Sequence, residues 1–420
     1  MPGVALPRAF WWLWTSTTVS NLADGVLKTA LPLVAVGWTR SPAAVAGVAL
    51  ALSLPWLVVS LPAGALVDRW DRRRTLVVAD LARAAVLALL TAAVATGTES
   101  LALLYAVAVL VGVAEVFRDT TAQSVLPQVV GRDALPAANG RLHAAELTAN
   151  VFAGPPLGGL LVGAGALGAT FALGVPAGLW VLAAVGMLRL RGSYRVRGTD
   201  GPRTTVRGDI AEGLLFLVRH RVLRSLAVMV GVANLASSAT GAVLVLWAVG
   251  PASAMGLTEA QYGLLLTAMA VGAVAGSLVA TRVAARLGRT ATLAVTILTS
   301  TLSLGAPALT TDAWLVAGAN VLAGFGIAVW NVVTVSLRQQ LTPDALLGRV
   351  NSAYRLLAWG TVPLGAGLGG LVGEAWGLRW VFVGAAVVSL TMLALLRLVR
   401  EAREPLAAAA GAAAAEADRA

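Results

Sequence analysis

An all-α polytopic membrane protein, with twelve transmembrane helices in two pseudo-symmetric six-helix bundles, is expected from hydropathy, from a count of apolar runs and from an internal duplication. Mean hydropathy is +0.82, with 58% apolar and only 12% charged residues, where soluble chains carry about a quarter charged residues. A hydrocarbon core about 30 Å thick needs about 20 apolar residues per helical crossing, and twelve such runs lie between Phe10 and Arg400. The duplication is written in three short echoes. Gly64-Ala65-Leu66-Val67 returns as Gly276-Ser277-Leu278-Val279, Asp133-Ala134-Leu135 as Asp344-Ala345-Leu346, and Leu157-Gly158-Gly159-Leu160 as Leu368-Gly369-Gly370-Leu371, all at nearly one offset. Repeated halves that each cross a membrane several times are the build of a secondary transporter, with its substrate site between the repeats.

Taken in order, span one (10–37) carries Trp11, Trp12 and Trp14 at one end and is too long for a signal-peptide core, so it is retained as a helix. Span two (43–66) runs into the basic cluster Arg69 to Arg74; spans three (75–97) and four (101–127) follow. Span five (142–165) holds a Gly-Pro-rich stretch, and span six (167–189) closes the N-terminal bundle, residues 1–190. Residues 191–221 read as a cytoplasmic linker, Gly- and Arg-rich, ending in an amphipathic segment. There Ile210, Leu214, Leu217 and Val218 lie opposite Arg207, Glu212 and Arg219, which fits either a helix on the inner leaflet or an early start of span seven. The C-terminal bundle, residues 222–400, comprises spans 222–249, 259–281, 290–310, 313–337, 349–373 and 378–397; an Ala-rich cytoplasmic tail, 401–420, follows.

Nearly all of the 31 Lys and Arg residues sit at the N-terminus, in the tail or beside the even-numbered loops, with Arg40 and Arg379 on the other side. The positive-inside rule then places both termini in the cytoplasm. The same rule accounts for the +11 net charge without nucleic-acid binding. Trp38, Trp247, Trp314, Trp376 and Trp380 fall near outer span ends and read as interfacial anchors, while Trp330 and Trp359 lie deeper. No cysteine is present, and His143 and His220 are too few for a metal site.

Charges within hydrocarbon are rare unless they face protein or a water-filled cavity. Span one carries Asn21, Asp24 and Lys28 on one face, with Asp24 and Lys28 spaced to pair; span four carries Glu115, Arg118 and Asp119, continued by Gln123. Three carboxylates against two cations leave one acid over, the chemistry of a proton carrier, with Glu115 or Asp119 as the protonation site and Arg118 as its partner. The competing reading is an inert ion-pair lattice. The second half shows no comparable charges; Asn234, Ser237, Ser238, Asn320, Asn331 and Trp330 are its candidate cavity residues. An ionisable wall facing a neutral aromatic one suits a small amphiphilic cargo.

The stretch Gly64-Ala-Leu-Val-Asp68-Arg69-Trp-Asp71-Arg72-Arg73-Arg74 resembles the loop motif of the major facilitator superfamily, with Asp71 where that motif has a second glycine. The resemblance implies that Asp68 engages the other half while Arg69, Arg72 and Arg73 latch an inner gate. Gly154-Pro155-Pro156-Leu157-Gly158-Gly159 resembles the antiporter motif of exporters in the same superfamily, although Asn150 replaces its upstream glycine. Ser20 to Gly25, and Leu126-Pro127-Gln128 leading to Asn139, are similar to the drug and siderophore exporter branch. The resemblance spans residues 10 to 400. It implies a proton-coupled exporter of drugs or siderophores in the bacterial cytoplasmic membrane, working as a monomer by alternating access, with no cofactor beyond the proton gradient and no enzymatic activity. A small-nutrient importer, a lysolipid flippase and a membrane-embedded enzyme are the rival readings; for an enzyme, no convincingly spaced nucleophile or metal cluster is found within the spans.

Overall fold

Polar residues at the ends of the apolar runs set the helix boundaries. Ser41, Ser100 and Asp312 accept hydrogen bonds from the backbone N–H groups of Ala44, Leu103 and Trp314, and Thr258 with Gln261 forms a capping box. These side chains satisfy donors that a helix start leaves open. At the other end of a helix, Gly97 takes φ 69°, a left-handed conformation that only the absence of a Cβ makes easy.

The computed structural model describes residues 6–67, 69–190, 192, 194, 206–343 and 346–401. Its N-terminal half consists of α1 (Arg8–Trp38), α2 (Pro42–Val58), α3 (Ser60–Val67), α4 (Arg72–Thr96), α5 (Leu101–Val129), α6 (Leu135–Glu146), α7 (Gly154–Val162) and α8 (Gly168–Leu188). After α9 (Val206–Arg219) come α10 (Arg221–Ala248), α11 (Glu259–Leu287), α12 (Arg289–Leu309), α13 (Ala313–Leu341), α14 (Leu347–Trp376), α15 (Leu378–Leu390) and α16 (Met392–Glu401). Among the described residues ten apolar helical stretches are long enough to cross a membrane. The two further spans are the broken ones. Span two divides into α2 and α3 near Val59, and span five is α6, a π-helical turn over Leu147–Ala153, and α7. Among the described residues the one β feature is an isolated bridge between Val249 and Leu257.

Packing repeats between the halves. Within the N-terminal half α1 packs on α7 and α8, α4 on α5 and α8, and α2 on α5; within the C-terminal half α10 packs on α14 and α15, α12 on α13 and α15, and α11 on α13. The halves meet along α2 with α14 and α7 with α11. Paired glycines make both contacts. Gly158 lies against Val26 of α1 and Gly369 against Ala239 of α10, each within its own half; Gly159 lies against Glu259 of α11 and Gly370 against Ala43 of α2, each across the interface. The duplicated Gly-Gly step therefore gives each half one inward and one outward backbone contact.

Large side chains such as Leu278, Leu309 and Trp314 are exposed on the outside, as expected of surfaces that face lipid. Trp376 and Trp380 are likewise exposed, in keeping with interfacial anchoring, but Trp247 packs edge-on against Phe382 of α15 at 5.4 Å. The Trp247 ring is half-buried, partly covered by α15.

The segment before span seven forms its own helix, α9, separated from α10 at His220. Leu214 and Leu217 pack with Val350 and Ala353 of α14, and Glu212 Oε2 sits 2.6 Å from Arg349 Nη1. His220 Nδ1 accepts from the Leu223 N–H at 3.4 Å. Burial holds the imidazole below its ordinary pKa, so this cap is intact above the usual histidine range and is lost as pH falls through the lowered value. His220→Ala should lower stability by about 1 kcal/mol and His220→Asn should restore it, measured by thermal melting in detergent. Residues 191, 193 and 195–205 of the linker, the tail from residue 402 and Asp68 lie outside the described residues.

Candidate functional site

Three helices of the N-terminal half, α1, α4 and α8, converge on one guanidinium. Arg83 of α4 is fully buried; its Nη1 donates to Asp24 Oδ1 of α1 at 2.7 Å, and its Nη2 donates to Ser20 Oγ at 2.7 Å and to Asp80 Oδ1. The ring of Trp180 on α8 lies 4.5 Å from Arg83 Cζ, and its Nε1 donates to Asp24 Oδ1 at 3.1 Å. Arg118 of α5 places its Nε 3.5 Å from Asp80 and its Nη1 3.7 Å from Asp119, while Lys28 Nζ sits 3.1 Å from Glu115 Oε1.

Two expectations change here. Asp24 and Lys28 do not pair along α1, because the forked donor of Arg83 takes Asp24 and Lys28 crosses to Glu115 on α5. Asp80 and Arg83 belong to the network and were missed, although both lie within the apolar run of span three. With them included, Asp24, Asp80, Glu115 and Asp119 face Lys28, Arg83 and Arg118, so one negative charge is still left over. Asp119 is the acid least satisfied by its neighbours. It shares Arg118 with Asp80 at the longest of these distances, and its side chain is 33% exposed against 10% or less for the other three acids. Asp119 lines a cavity of about 280 Å³ together with Asn21, Arg118, Gln123, His143 and Glu146.

The C-terminal half supplies a second cavity of about 360 Å³, lined among others by Asn234, Ser237, Trp330, Asn331, Arg338, Arg355 and Trp359. A third, of about 220 Å³, shares Gln123 with the first and Arg355 and Trp359 with the second. The three therefore form one chain of space between the bundles. Arg355 Nη1 donates across it to Gln123 Oε1 at 3.1 Å, and Trp359 stacks on Trp56 of α2 at 5.9 Å. This wall is not neutral, as expected from the sequence, since Arg338 and Arg355 belong to it. The positive-inside rule counts both among the basic residues beside a loop, but α13 and α14 carry them along the cavity. Asn234 also donates to the Ala358 carbonyl at 2.7 Å, tying α10 to α14. Asn320 does not line these cavities; its Oδ1 accepts from Ser303 at 2.6 Å, so it joins α12 to α13.

At the end of the molecule away from the basic loops the halves are clasped. Glu374 Oε2 accepts from Ser41 Oγ at 2.7 Å and from the Ala43 N–H at 3.2 Å, and Arg40 Nη1 donates to the Val249 carbonyl at 3.2 Å. At the basic end Arg73 of the loop motif acts within its own half. Arg73 Nη2 donates to the Leu188 carbonyl at 2.7 Å, capping α8, rather than reaching the other bundle. Arg72 is buried and Arg69 exposed; a Cβ at Gly64 would meet open space. Asp71, with φ −73°, caps α4 by accepting from the Arg74 N–H at 3.0 Å, so the glycine usual at this place is not required.

Of the antiporter-like motif, Gly154 and Gly158 abut Gly25 and Val26 of α1, Pro155 faces Gly263 of α11 and Gly159 faces Glu259. It follows directly on the π-helical turn, the kind of irregularity at which helices bend.

Two pseudo-symmetric bundles around an interfacial cavity, with a buried charge network beside it, define a major facilitator transporter and not an enzyme. The chain belongs to the transmembrane secretion effector family, which it matches over residues 6–415. It is 30% identical over 382 residues to the multidrug efflux pump Tap of Mycobacterium bovis (strain BCG / Pasteur 1173P2), covering 89% of this chain and 88% of that protein. It is 29% identical over 386 residues to Tap of Mycolicibacterium fortuitum, covering 89% and 90%. Among solved structures, the fold is similar to the nucleoside transporter NupG (D323A mutant), with a TM-score of 0.76 at 13% identity over 93% of this chain and all of that one. A bacterial homologue of the iron transporter ferroportin, in an inward-facing state, gives 0.72 at 17% identity over 93% and 98%.

Proposed function

We propose that this transporter exports amphiphilic small molecules, drugs or siderophores among them, across the bacterial cytoplasmic membrane in exchange for protons, with Asp119 as the protonated group. One observation carries the reading: the surplus carboxylate of an otherwise compensated buried network is the one that lines the cavity. Support for export over import comes from the Gly154 to Gly159 motif and from relatives named as efflux pumps. The basic end is taken as cytoplasmic on the positive-inside rule, with both termini there. All the parts lie in one chain, so a monomer suffices.

The cycle balances as one proton in for one cargo out. With the clasp at Ser41 and Glu374 closed, the cavity serves the cytoplasm; Asp119 releases its proton there, its anion is drawn to Arg118, and cargo enters. Opening the outer side lets cargo leave, and Asp119 takes up a proton from the medium. Neutral Asp119 leaves Arg118 to Asp80, which removes the surplus charge before the bundles swing back.

The test is transport in proteoliposomes under an imposed pH gradient, screened with amphiphilic antibiotics, siderophores and lysolipids. Asp119→Asn should reduce gradient-driven efflux to the level of gradient-free controls while leaving cargo binding in place. Glu115→Gln should retain coupling, losing only the contact with Lys28. Undiminished gradient-driven efflux in Asp119→Asn would remove the assignment. Uptake instead of efflux would favour a nutrient importer, and gradient-insensitive movement of lysolipid a flippase.

A further inference from the structure

Arginines near the inner ends of spans ordinarily point toward lipid headgroups, and Arg282, Arg286 and Arg289 are exposed at that end of α11 and α12. Arg338 and Arg355 differ because both line the interfacial cavity. Arg338 is half-buried; its Cζ lies 4.2 Å from the centroid of the Tyr354 ring, and its Nε has no hydrogen-bond partner. The hydrogen bond of Arg355 to a side chain goes to the neutral amide of Gln123. Among the described residues neither arginine has a carboxylate partner, and no acid lines this half of the cavity. Two permanent cations thus line about 360 Å³ of space, beside the rings of Trp330 and Trp359 and the polar groups of Ser237 and Asn331. That volume lies in the range of small-molecule pockets.

An unpaired guanidinium at a water-poor wall favours an anion, because its planar fork matches carboxylate and sulfonate oxygens and its charge strengthens each hydrogen bond. The Arg338 guanidinium lies over the Tyr354 ring and also interacts with the Tyr354 hydroxyl, which fixes it at the cavity wall. The indoles supply a flat apolar surface next to this point.

We propose that the C-terminal wall is a cargo subsite for the anionic group of an aromatic amphiphile, with Arg338 and Arg355 binding its carboxylate or sulfonate and Trp330 and Trp359 its ring. Cargo binding there displaces the Arg355 to Gln123 contact, one of the links between the bundles on this side. The inference rests on the export reading only in taking this cavity as the cargo site; binding at equilibrium is independent of coupling.

The test uses the full chain in lipid nanodiscs and isothermal titration with three congeners on one ring: 2-naphthalenesulfonate, 2-naphthylmethanol and (2-naphthylmethyl)trimethylammonium. Protein-free discs correct for partition into lipid. The sulfonate is expected to bind about tenfold more tightly than the alcohol, the effect of one charge-assisted hydrogen bond. Arg338→Gln and Arg355→Gln should each remove about threefold of this preference, and the double variant all of it, leaving the alcohol unchanged, which also reports that the variants are folded. Arg338→Lys should keep the order sulfonate over alcohol. Equal affinity for sulfonate and alcohol, tighter binding of the ammonium, or arginine variants that weaken all three congeners alike would overturn the proposal. If the sulfonate preference holds while the pH gradient drives nothing, the coupling assignment fails and this subsite stands; the reverse result separates them the other way.

Discussion

Arg83→Met is expected to destabilise the folded transporter by about 3–5 kcal/mol, the usual loss when one partner of a buried ion pair is removed. The reason is the number of groups that depend on a single side chain. Without the guanidinium, Asp24 has lost its cation, Asp80 is left with Arg118 at 3.5 Å, Ser20 loses a donor, and within this network α4 is held to α1 by the Ser20 to Asp80 hydrogen bond alone. Trp180 loses the cation over its ring. The measurement is thermal unfolding in detergent. Arg83→Lys should recover part of the loss, since an ammonium keeps the charge but lacks the planar fork that serves Asp24 and Asp80 together. Adding Asp80→Asn to Arg83→Met should recover more, because it removes one of the stranded charges. A melting temperature unchanged in Arg83→Met would show that the network does not hold the bundle.

Gly159→Ala is expected to slow transport by disfavouring the state in which the Ser41 to Glu374 clasp is closed. A Cβ at Gly159 would overlap the carbonyl oxygen of Glu259 across the interface, and backbone cannot swing aside as a side chain can. Overpacking of this kind costs about 1–3 kcal/mol, which shifts a two-state balance by about 5- to 150-fold. The chain has no native cysteine, so Ser41→Cys with Glu374→Cys can report closure through a short thiol cross-linker. Its yield should fall when Gly159→Ala is added. Gly178→Ala is the control: its Cβ would meet open space on α8, and alanine is the better helix former by about 1 kcal/mol. Equal cross-linking yields in the two backgrounds would show that the α7–α11 contact does not govern the outer clasp.

These two experiments also mark where sequence reading stopped. Span number and the duplication were legible because they depend on the length and order of apolar runs, which bilayer thickness imposes directly. Asp80 and Arg83 were equally visible as charges within an apolar run, and the criterion applied to spans one and four would have found them. The partner choice of Asp24 could not be found so. A spacing of four residues permits Lys28, but the winner is set by which donor the packing of α1, α4 and α8 brings within 3 Å. Arg338 and Arg355 looked like topology signals, because the bias that orients a membrane protein and the wall of a cavity can use the same residue at the same depth.

From the amino-acid order alone came the class of molecule, its two halves, its charged spans and the surplus of one acid, since hydropathy, repetition and charge are properties of the chain read along its length. Which acid of the network lines the cavity, which glycine of each pair crosses the interface and which arginines meet the cavity depend on folding. Each depends on the rotation and approach of helices distant in sequence, where a few ångströms decide whether a charge is paired or open to solvent.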